Sequence, residues 1–281
     1  MASKSLPPVT VLAQSRPSPP DAPVPQHIEA SAQPPTLAPA RDRPIIIRYG
    51  KHLRGAFDRL IGGSSLVSNE PVLDMRDFAW TCALRRQWRA IRDEALTVAL
   101  DRRAAPSLSE VSPDHRAIAA PEAWRSFFLH GYGYPIAENL ARCPATARAV
   151  TEIPGLVSAF FSILAPGTHI PAHRGVTKGL ITCHLGLIVP QDGDARMRVG
   201  DRVVRWAEGE TLVFDDTYDH EVWNDSTSTR VVLLIQFERP LAQPGKWIAD
   251  LVLGAVRRSA FVQEARANIH AWNRAISALD T

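Results

Sequence analysis

The chain has 281 residues, of which 45% are hydrophobic and 22% charged, and its formal net charge is +3 at pH 7. That length suffices for one large domain with appendages, and the composition is ordinary for a globular protein. So small a net charge does not indicate a nucleic-acid partner, and we expect none.

The cysteines Cys82, Cys143 and Cys183 show neither a zinc-site spacing nor a disulfide framework. We therefore expect free thiols in a reducing, cytoplasmic compartment. No apolar run reaches the roughly 18 residues of a membrane-spanning helix. The N-terminus also lacks the pattern of a secretory signal, so we expect no secretion.

The N-terminal part of the chain is divided by composition. Residues 1–43 contain ten of the 23 prolines, which predicts a disordered Pro-rich leader. Residues 44–70 are predicted to form an amphipathic helix and a connection, because Tyr49, Leu53, Phe57 and Leu60 have helical spacing and basic residues lie between them. We favour a half-buried helix with solvated charges, and the alternative is a helix at an anionic inner-membrane surface.

The next segments alternate between helical and extended patterns. Apolar spacings of three and four predict one helix over 77–103, followed by an irregular segment over 104–122 that we expect near the active-site rim. A strand over 123–129 and a helix over 136–152 follow. The last helical pattern, over 246–279, predicts one or two helices as a C-terminal extension of the 71–245 domain.

From residue 157 the chain consists of short β-rich runs separated by turn residues. The runs cover 157–164, 180–189, 196–199, 202–206, 211–214 and 230–237. Many short strands at close spacing favour a sandwich over an open parallel sheet. We therefore predict a mainly β fold with flanking helices, a double-stranded β-helix of the jelly-roll, cupin-like type.

Two histidines and one arginine indicate the chemistry. His173 ends a strand-like run, His220 lies just past the run that ends at residue 214, and Arg230 begins a run of β-branched residues. Imidazole is a good ligand for Fe(II), and a guanidinium on a buried strand can bind the distal carboxylate of 2-oxoglutarate through two hydrogen bonds. The set predicts an Fe(II)/2-oxoglutarate-dependent dioxygenase that uses O2, with His173 and His220 as metal ligands.

Three further side chains complete the predicted site. Ser162 could donate a hydroxyl to the carboxylate held by Arg230, and His184 could contact the carboxylate next to the metal. Iron sites of this class usually add a carboxylate two residues after the first histidine, where this chain has Gly175. The metal is then held by two histidines and water, or Asp215, Asp216 or Asp219 reaches it, and we prefer Asp216 acting through water.

Four sequence strings carry a family resemblance, which extends from about residue 71 to Arg239. They are Ala-Pro-Gly-Thr-His-Ile-Pro-Ala-His-Arg-Gly, His-Leu-Gly-Leu-Ile-Val-Pro, Trp-Ala-Glu-Gly-Glu and Phe-Asp-Asp-Thr-Tyr-Asp-His-Glu-Val-Trp-Asn. Together they resemble the aspartyl/asparaginyl β-hydroxylase family. The resemblance implies a double-stranded β-helix, iron bound by His173 and His220, and 2-oxoglutarate bound by Ser162, His184 and Arg230. The animal members likewise have glycine at the position of Gly175.

Two departures from the family matter. The family usually has an arginine at the position of Thr182 that helps to hold the cosubstrate, so either Arg174 or Lys178 replaces it or the affinity for 2-oxoglutarate falls. The bacterial lipid A hydroxylases of the family resemble this chain at Trp124-Arg-Ser-Phe-Phe. They have aspartate where this chain has Gly175, and an N-terminal membrane helix.

Several substrates stay open. The first expectation is the β-carbon of an aspartyl or asparaginyl residue in a peptide, or of a related amino acid. The second is an acyl chain of a lipid A or ornithine-lipid type at a membrane surface. The third is a non-catalytic, cupin-like binding module, and halogenation is a minor fourth alternative because a site without a carboxylate ligand can admit chloride.

Overall fold

The computed structural model describes residues 55–101, 103–112, 118 and 122–278. The predicted leader over 1–43 and the first part of the helix predicted within 44–70 lie outside these residues. The strands are β1 (Val72–Leu73), β2 (Trp124–Gly131), β3 (Tyr134–Pro135), β4 (Leu156–Leu164), β5 (Thr168–His173), β6 (Leu180–Ile188), β7 (Asp194–Val199), β8 (Arg202–Arg205), β9 (Thr211–Phe214), β10 (His220–Asp225) and β11 (Arg230–Glu238).

The helices flank these strands in the chain. They are α1 (residues 55–63), α2 (Trp80–Arg86), α3 (Trp88–Leu100), α4 (Leu108–Val111), α5 (Ala137–Arg142), α6 (Pro144–Thr151), α7 (Gly245–Arg258) and α8 (Ala260–Ser277), with a 3-10 turn at Met75–Asp77. Within the described ranges, no helix combines the length and the apolar character needed to cross a bilayer.

The strands form two antiparallel sheets that face each other. The larger sheet has the order β1-β9-β6-β11-β4-β2-β3, and the smaller one has the order β5-β10-β7-β8. A buried cluster lies between the sheets and includes Phe160, Phe214 and Val232 of the large sheet and Met197 and Val222 of the small one. The predicted double-stranded β-helix with flanking helices is confirmed.

Strand β11 shows why the sequence has a continuous apolar run here. Val231, Leu233 and Ile235 face the outer core, where α3 and α6 cover the sheet, whereas Arg230 and Leu234 point to the inner face. Successive side chains of a strand alternate between faces, and both faces of this strand are buried. The same alternation brings inner-face polar side chains of β4, β6 and β11 to one cavity.

Two of the predicted helices are each divided in the structure. The helix predicted over 77–103 is interrupted at Gln87, which has φ −96° and ψ 1° between α2 and α3. The helix predicted over 136–152 is interrupted at Cys143, because Pro144 begins α6 and has no N–H to donate to the preceding turn. In both cases the predicted helical type is right and its continuity is wrong.

The outer segments also differ from the predictions. In the segment 104–122, expected to be irregular, a short α4 forms with a capping box between Ser107 and Glu110. In α1, Phe57 and Leu60 are exposed and Ile61 is the buried residue. The expected packing of the Phe57 and Leu60 face on the core is therefore wrong for this part of the chain.

Candidate metal and carboxylate site

The two predicted iron ligands lie side by side on the small sheet. His173 is the last residue of β5, His220 is the first residue of β10, and the two are direct partners in the antiparallel pair. Their ring centroids are 4.1 Å apart. His220 therefore begins a strand of its own, which the sequence did not predict. The pairing brings together two imidazoles that are 47 residues apart in the chain.

Both histidines have the hydrogen bonding of metal ligands. The Nδ1 atom of His173 lies 2.9 Å from the carbonyl oxygen of Pro171, and that of His220 lies 3.1 Å from the carbonyl oxygen of Tyr218. A ring that donates Nδ1–H to a carbonyl carries its lone pair on Nε2. Burial lowers the pKa of His173 to about 4 and also lowers that of His220. Both rings are therefore neutral at pH 7, which is the form that binds a metal.

Asp216 occupies the place that a side chain at residue 175 would need. A Cβ atom built on Gly175 would lie 2.0 Å from Oδ1 of Asp216. Thr182 Oγ1 and Gln236 Nε2 donate to Asp216 Oδ2 at 2.9 and 3.1 Å, and Oδ1 is buried without a hydrogen-bond partner. Burial raises the pKa of this carboxyl to about 6. Asp216 thus presents one unused acceptor atom beside the histidine pair.

The other two aspartates considered from sequence are engaged elsewhere. Asp215 is fully buried and pairs with Lys178 at 2.6 Å and with Arg239. Asp219 forms an exposed ion pair with Arg174. Of the three aspartates, only Asp216 lines the cavity with the histidines. Among the described residues, no three side chains of His, Cys, Asp or Glu are arranged around one metal position.

Arg230 is a buried cation with no acidic partner among the described residues. Its side chain is 2% exposed, and Nη1 makes two weak contacts of 3.4 Å with the carbonyl and hydroxyl oxygens of Ser162. Nε has no hydrogen-bond partner, and burial lowers the pKa of this guanidinium to about 9. Its carbon atom CZ lies 4.7 Å from the centroid of the Trp206 ring. A buried charge without compensation is costly, which favours an anion as its missing partner.

Ser162 and His184 direct donors toward the same anion position. The Ser162 hydroxyl accepts from Trp124 Nε1 at 3.0 Å, so its own O–H remains to donate. Trp206 Nε1–H donates to His184 Nδ1 at 3.2 Å, which fixes the tautomer that carries hydrogen on Nε2. That Nε2 is buried without a partner, and burial holds the pKa of His184 well below its usual range. Both donors, like Arg230, line the cavity.

The two candidates to replace the arginine absent at Thr182 are both held in ion pairs. Arg174 is half exposed and paired with Asp219, and Lys178 is paired with buried Asp215. Thr182 instead donates to Asp216 and fixes the orientation of that carboxylate. Arg230 is therefore the deeply buried cation that lines the cavity beside Ser162 and His184.

The site lies at the polar end of a cavity of about 270 Å³ whose remaining wall is largely apolar. The wall comes from β2, β4, β6, β11, α4, α7 and α8 and from residue 118. Its apolar members include Leu108, Ile118, Trp124, Phe128, Val157, Phe160, Leu180, Leu234, Leu253, Val256 and Phe261. The C-terminal extension predicted after residue 245 thus supplies a wall of the site, and Leu108 and Ile118 agree with the expectation that 104–122 reaches the rim.

Sequence reasoning missed the residues that support the site. Trp206 donates a hydrogen bond to His184 and packs its ring against Arg230, yet the sequence identified it only as part of the Trp-Ala-Glu-Gly-Glu string. Trp124 and Gln236 orient Ser162 and Asp216 in the same way. The strand alternation could have placed Gln236 on the face of Arg230, because they are six residues apart in β11.

The sequence matches a known protein family and several known proteins. The family described as aspartyl/asparaginyl beta-hydroxylase matches residues 85–240. The ornithine lipid ester-linked acyl 2-hydroxylase of Rhizobium tropici is 39% identical over 209 residues, which are 74% of this chain and 74% of that protein. The aspartyl/asparaginyl beta-hydroxylase of Homo sapiens is 30% identical over 167 residues, which are 58% of this chain and 21% of that protein. This chain therefore aligns with about a fifth of the human protein.

Among solved structures, a prolyl-4-hydroxylase of Pseudomonas putida aligns with a TM-score of 0.36 and 18% identity over 56% of this chain and 88% of that one. A cupin domain of a transcriptional regulator from Enterobacter cloacae aligns with a TM-score of 0.29 and 16% identity. This second alignment covers 41% of this chain and 97% of that one.

Proposed function

The chain belongs to the aspartyl/asparaginyl β-hydroxylase family, and on that premise we propose that it is an Fe(II)- and 2-oxoglutarate-dependent dioxygenase that hydroxylates an unactivated C–H bond. The observation that carries the proposal is the uncompensated guanidinium of Arg230 in the same cavity as the His173–His220 pair. Such a buried cation favours a dianionic cosubstrate that reaches from it to the metal position.

The residues present fit both cofactors. His173 and His220 would hold the iron through Nε2, since their Nδ1 atoms face backbone carbonyls. Asp216 Oδ1 is free to accept a hydrogen bond from a water on the metal, which is the role we assign to it. Arg230 and Ser162 would bind the distal carboxylate of 2-oxoglutarate, and His184 Nε2–H the carboxylate next to the metal.

When bound, iron and 2-oxoglutarate supply the oxidising power that transfers one oxygen atom of O2 to a substrate C–H bond. The protein contributes orientation and exclusion of water. Trp206 locks the donor tautomer of His184, Trp124 positions the Ser162 hydroxyl, and the apolar wall keeps water from the reacting end.

The cavity wall favours an acyl chain over an aspartyl side chain as the substrate. A carboxylate substrate would need a free cation near the metal, but Arg174, the residue after His173, is paired with Asp219. The wall beyond the histidines is formed mainly by aliphatic and aromatic side chains, which suit a hydrocarbon. The relative from Rhizobium tropici, a lipid acyl hydroxylase, supports the same choice. The β-carbon of an aspartyl or asparaginyl residue remains the competing prediction.

The proposal is tested by turnover with candidate substrates. Purified protein with Fe(II), 2-oxoglutarate and O2 should form succinate and a hydroxylated product from acyl lipids, and little from Asp- or Asn-containing peptides. The matched control is His220→Ala, which should lose both products while keeping its fold. Hydroxylation of peptides alone would restore the first substrate prediction. Absence of succinate with either class would support the non-catalytic binding module.

A further inference from the structure

Exposed apolar side chains occur on α1, on α7 and in the loop before β6, and we call this set the apolar rim: Phe57, Leu60, Val176, Trp247 and Leu251. Trp247 and Leu251 are 69% and 74% exposed, and their spacing of four places them on the same face of α7. Large apolar side chains this exposed lose contact with water only if another surface covers them.

The three segments that carry the apolar rim pack against one another. Asp58 in α1 accepts a hydrogen bond from the backbone N–H of Lys178 at 2.9 Å, next to the loop that contains Val176. Ser64, just after α1, accepts from the N–H of Gly245 at the start of α7 at 3.1 Å. A Cβ atom on Gly179 would lie 3.1 Å from that of Ala249 in α7. The segments that carry the apolar rim are therefore packed into one unit.

The α7 and Val176 parts of the apolar rim adjoin the cavity. Val176 is both exposed and part of the cavity lining. Helix α7 presents Trp247 and Leu251 to solvent, while Leu253 and Val256 on its other side line the cavity. A hydrocarbon chain that leaves an apolar layer in contact with the rim can thus enter the cavity along α7 and the loop around Val176.

The charge around the apolar rim is basic. Among the described residues, α7 contains Lys246, Arg257 and Arg258 against Asp250, and α1 contains Arg59 beside Asp58. Arg59 and Arg258 are exposed in the described part of these segments. Aromatic and aliphatic side chains surrounded by basic ones are the composition of protein surfaces that lie in the headgroup region of anionic bilayers.

We infer that the apolar rim docks on the surface of an anionic lipid bilayer and that α1 and α7 lie in the headgroup region with the cavity mouth toward the acyl chains. A bilayer is the occupant that matches both the charge and the cavity, because a lipid substrate would then reach His173 and His220 without exposing its chain to water. The inference rests on the proposed lipid substrate and adds the surface by which this chain reaches it.

The test is cosedimentation of the full chain with vesicles of phosphatidylcholine alone or mixed with phosphatidylglycerol. Wild type should bind the anionic vesicles, with binding weakened by salt, and Trp247→Ser with Leu251→Ser should weaken it at least about tenfold, as expected for losing the burial of large apolar side chains. Leu100→Ser is the matched control: Leu100 is 67% exposed at the end of α3, which covers the opposite face of the large sheet. It should bind like wild type.

Three readouts make the outcome decisive. Wild type that fails to bind anionic vesicles, or a double variant that binds like wild type, would overturn the inference. A wild-type dimer that the double variant dissociates, with vesicle binding unchanged, would assign the rim to self-association and overturn it as well. Binding of 2-oxoglutarate to the Fe(II)-loaded protein without lipid tests the proposed function separately, because the double variant should keep it at the wild-type level.

Discussion

Replacing Arg230 by methionine should stabilise the protein without cosubstrate and weaken 2-oxoglutarate binding. The burial that lowers the pKa of Arg230 to about 9 corresponds to a penalty of about 4–5 kcal/mol on the charged form, at 1.36 kcal/mol for each pKa unit. Methionine keeps much of the aliphatic volume and removes the charge. We expect the free energy of unfolding to rise by about 1–4 kcal/mol, and the affinity for 2-oxoglutarate to fall by a factor of roughly 30 to several thousand.

Arg239→Met is the matched control, because Arg239 is equally buried but pairs with Asp215. Its loss leaves a buried carboxylate with one cation fewer, so this variant should lose about 3–5 kcal/mol of stability. Urea denaturation of metal-free protein measures the first quantity, and calorimetric titration of the Fe(II)-loaded protein with 2-oxoglutarate under anaerobic conditions measures the second. If Arg230→Met destabilises the protein as much as Arg239→Met, or binds 2-oxoglutarate like wild type, then Arg230 is not the binding partner of an anionic cosubstrate.

Three further predictions concern the metal, the cavity and the core. Gly175→Ala should weaken Fe(II) binding at least about tenfold, since its Cβ would displace Asp216. Asp216→Gly should weaken it to a similar extent, because the same carboxylate is then absent. Equal Fe(II) affinity of Gly175→Ala and wild type would refute the displacement of Asp216. Leu253→Trp should shorten the cavity and lower kcat/KM for long acyl chains about tenfold, with little effect on short ones. Product analysis over a series of acyl-chain lengths measures this. An equal loss of kcat/KM at every chain length would contradict it. Burial raises the pKa of Cys143 to about 12 and also raises that of Cys183. At pH 9 both thiols should therefore stay protonated and unreactive toward a thiol reagent, while the exposed Cys82 reacts. Rapid reaction of more than one thiol before unfolding would contradict the described core.

The polar end of the site was predictable because its residues lie on strands whose alternation is visible in the sequence. Ser162, His184 and Arg230 share inner faces of β4, β6 and β11, and a charged or polar residue within an apolar run indicates a functional position. The His173–His220 pairing depended on the jelly roll, which the spacing of short strands and turns had already favoured.

The apolar wall could not be predicted in the same way. Leu253 and Val256 reach the cavity only through the packing of α7 on the barrel, and helical periodicity identifies an apolar face without naming its partner. The exposure of Phe57 has the same origin, since its spacing alone could not separate a core face from a free one. The break at Gln87 had no proline or glycine to signal it, whereas Pro144 did signal the break at Cys143.

The most direct test of the central claim is the visible charge-transfer absorption that Fe(II) and 2-oxoglutarate give when they are bound together in one site without O2. Wild type should develop the band on addition of both. His173→Ala and His220→Ala should abolish it, while Arg230→Met should shift its appearance to much higher 2-oxoglutarate concentration. No band in wild type at any iron loading, or an unchanged band in both histidine variants, would contradict the assignment of this site.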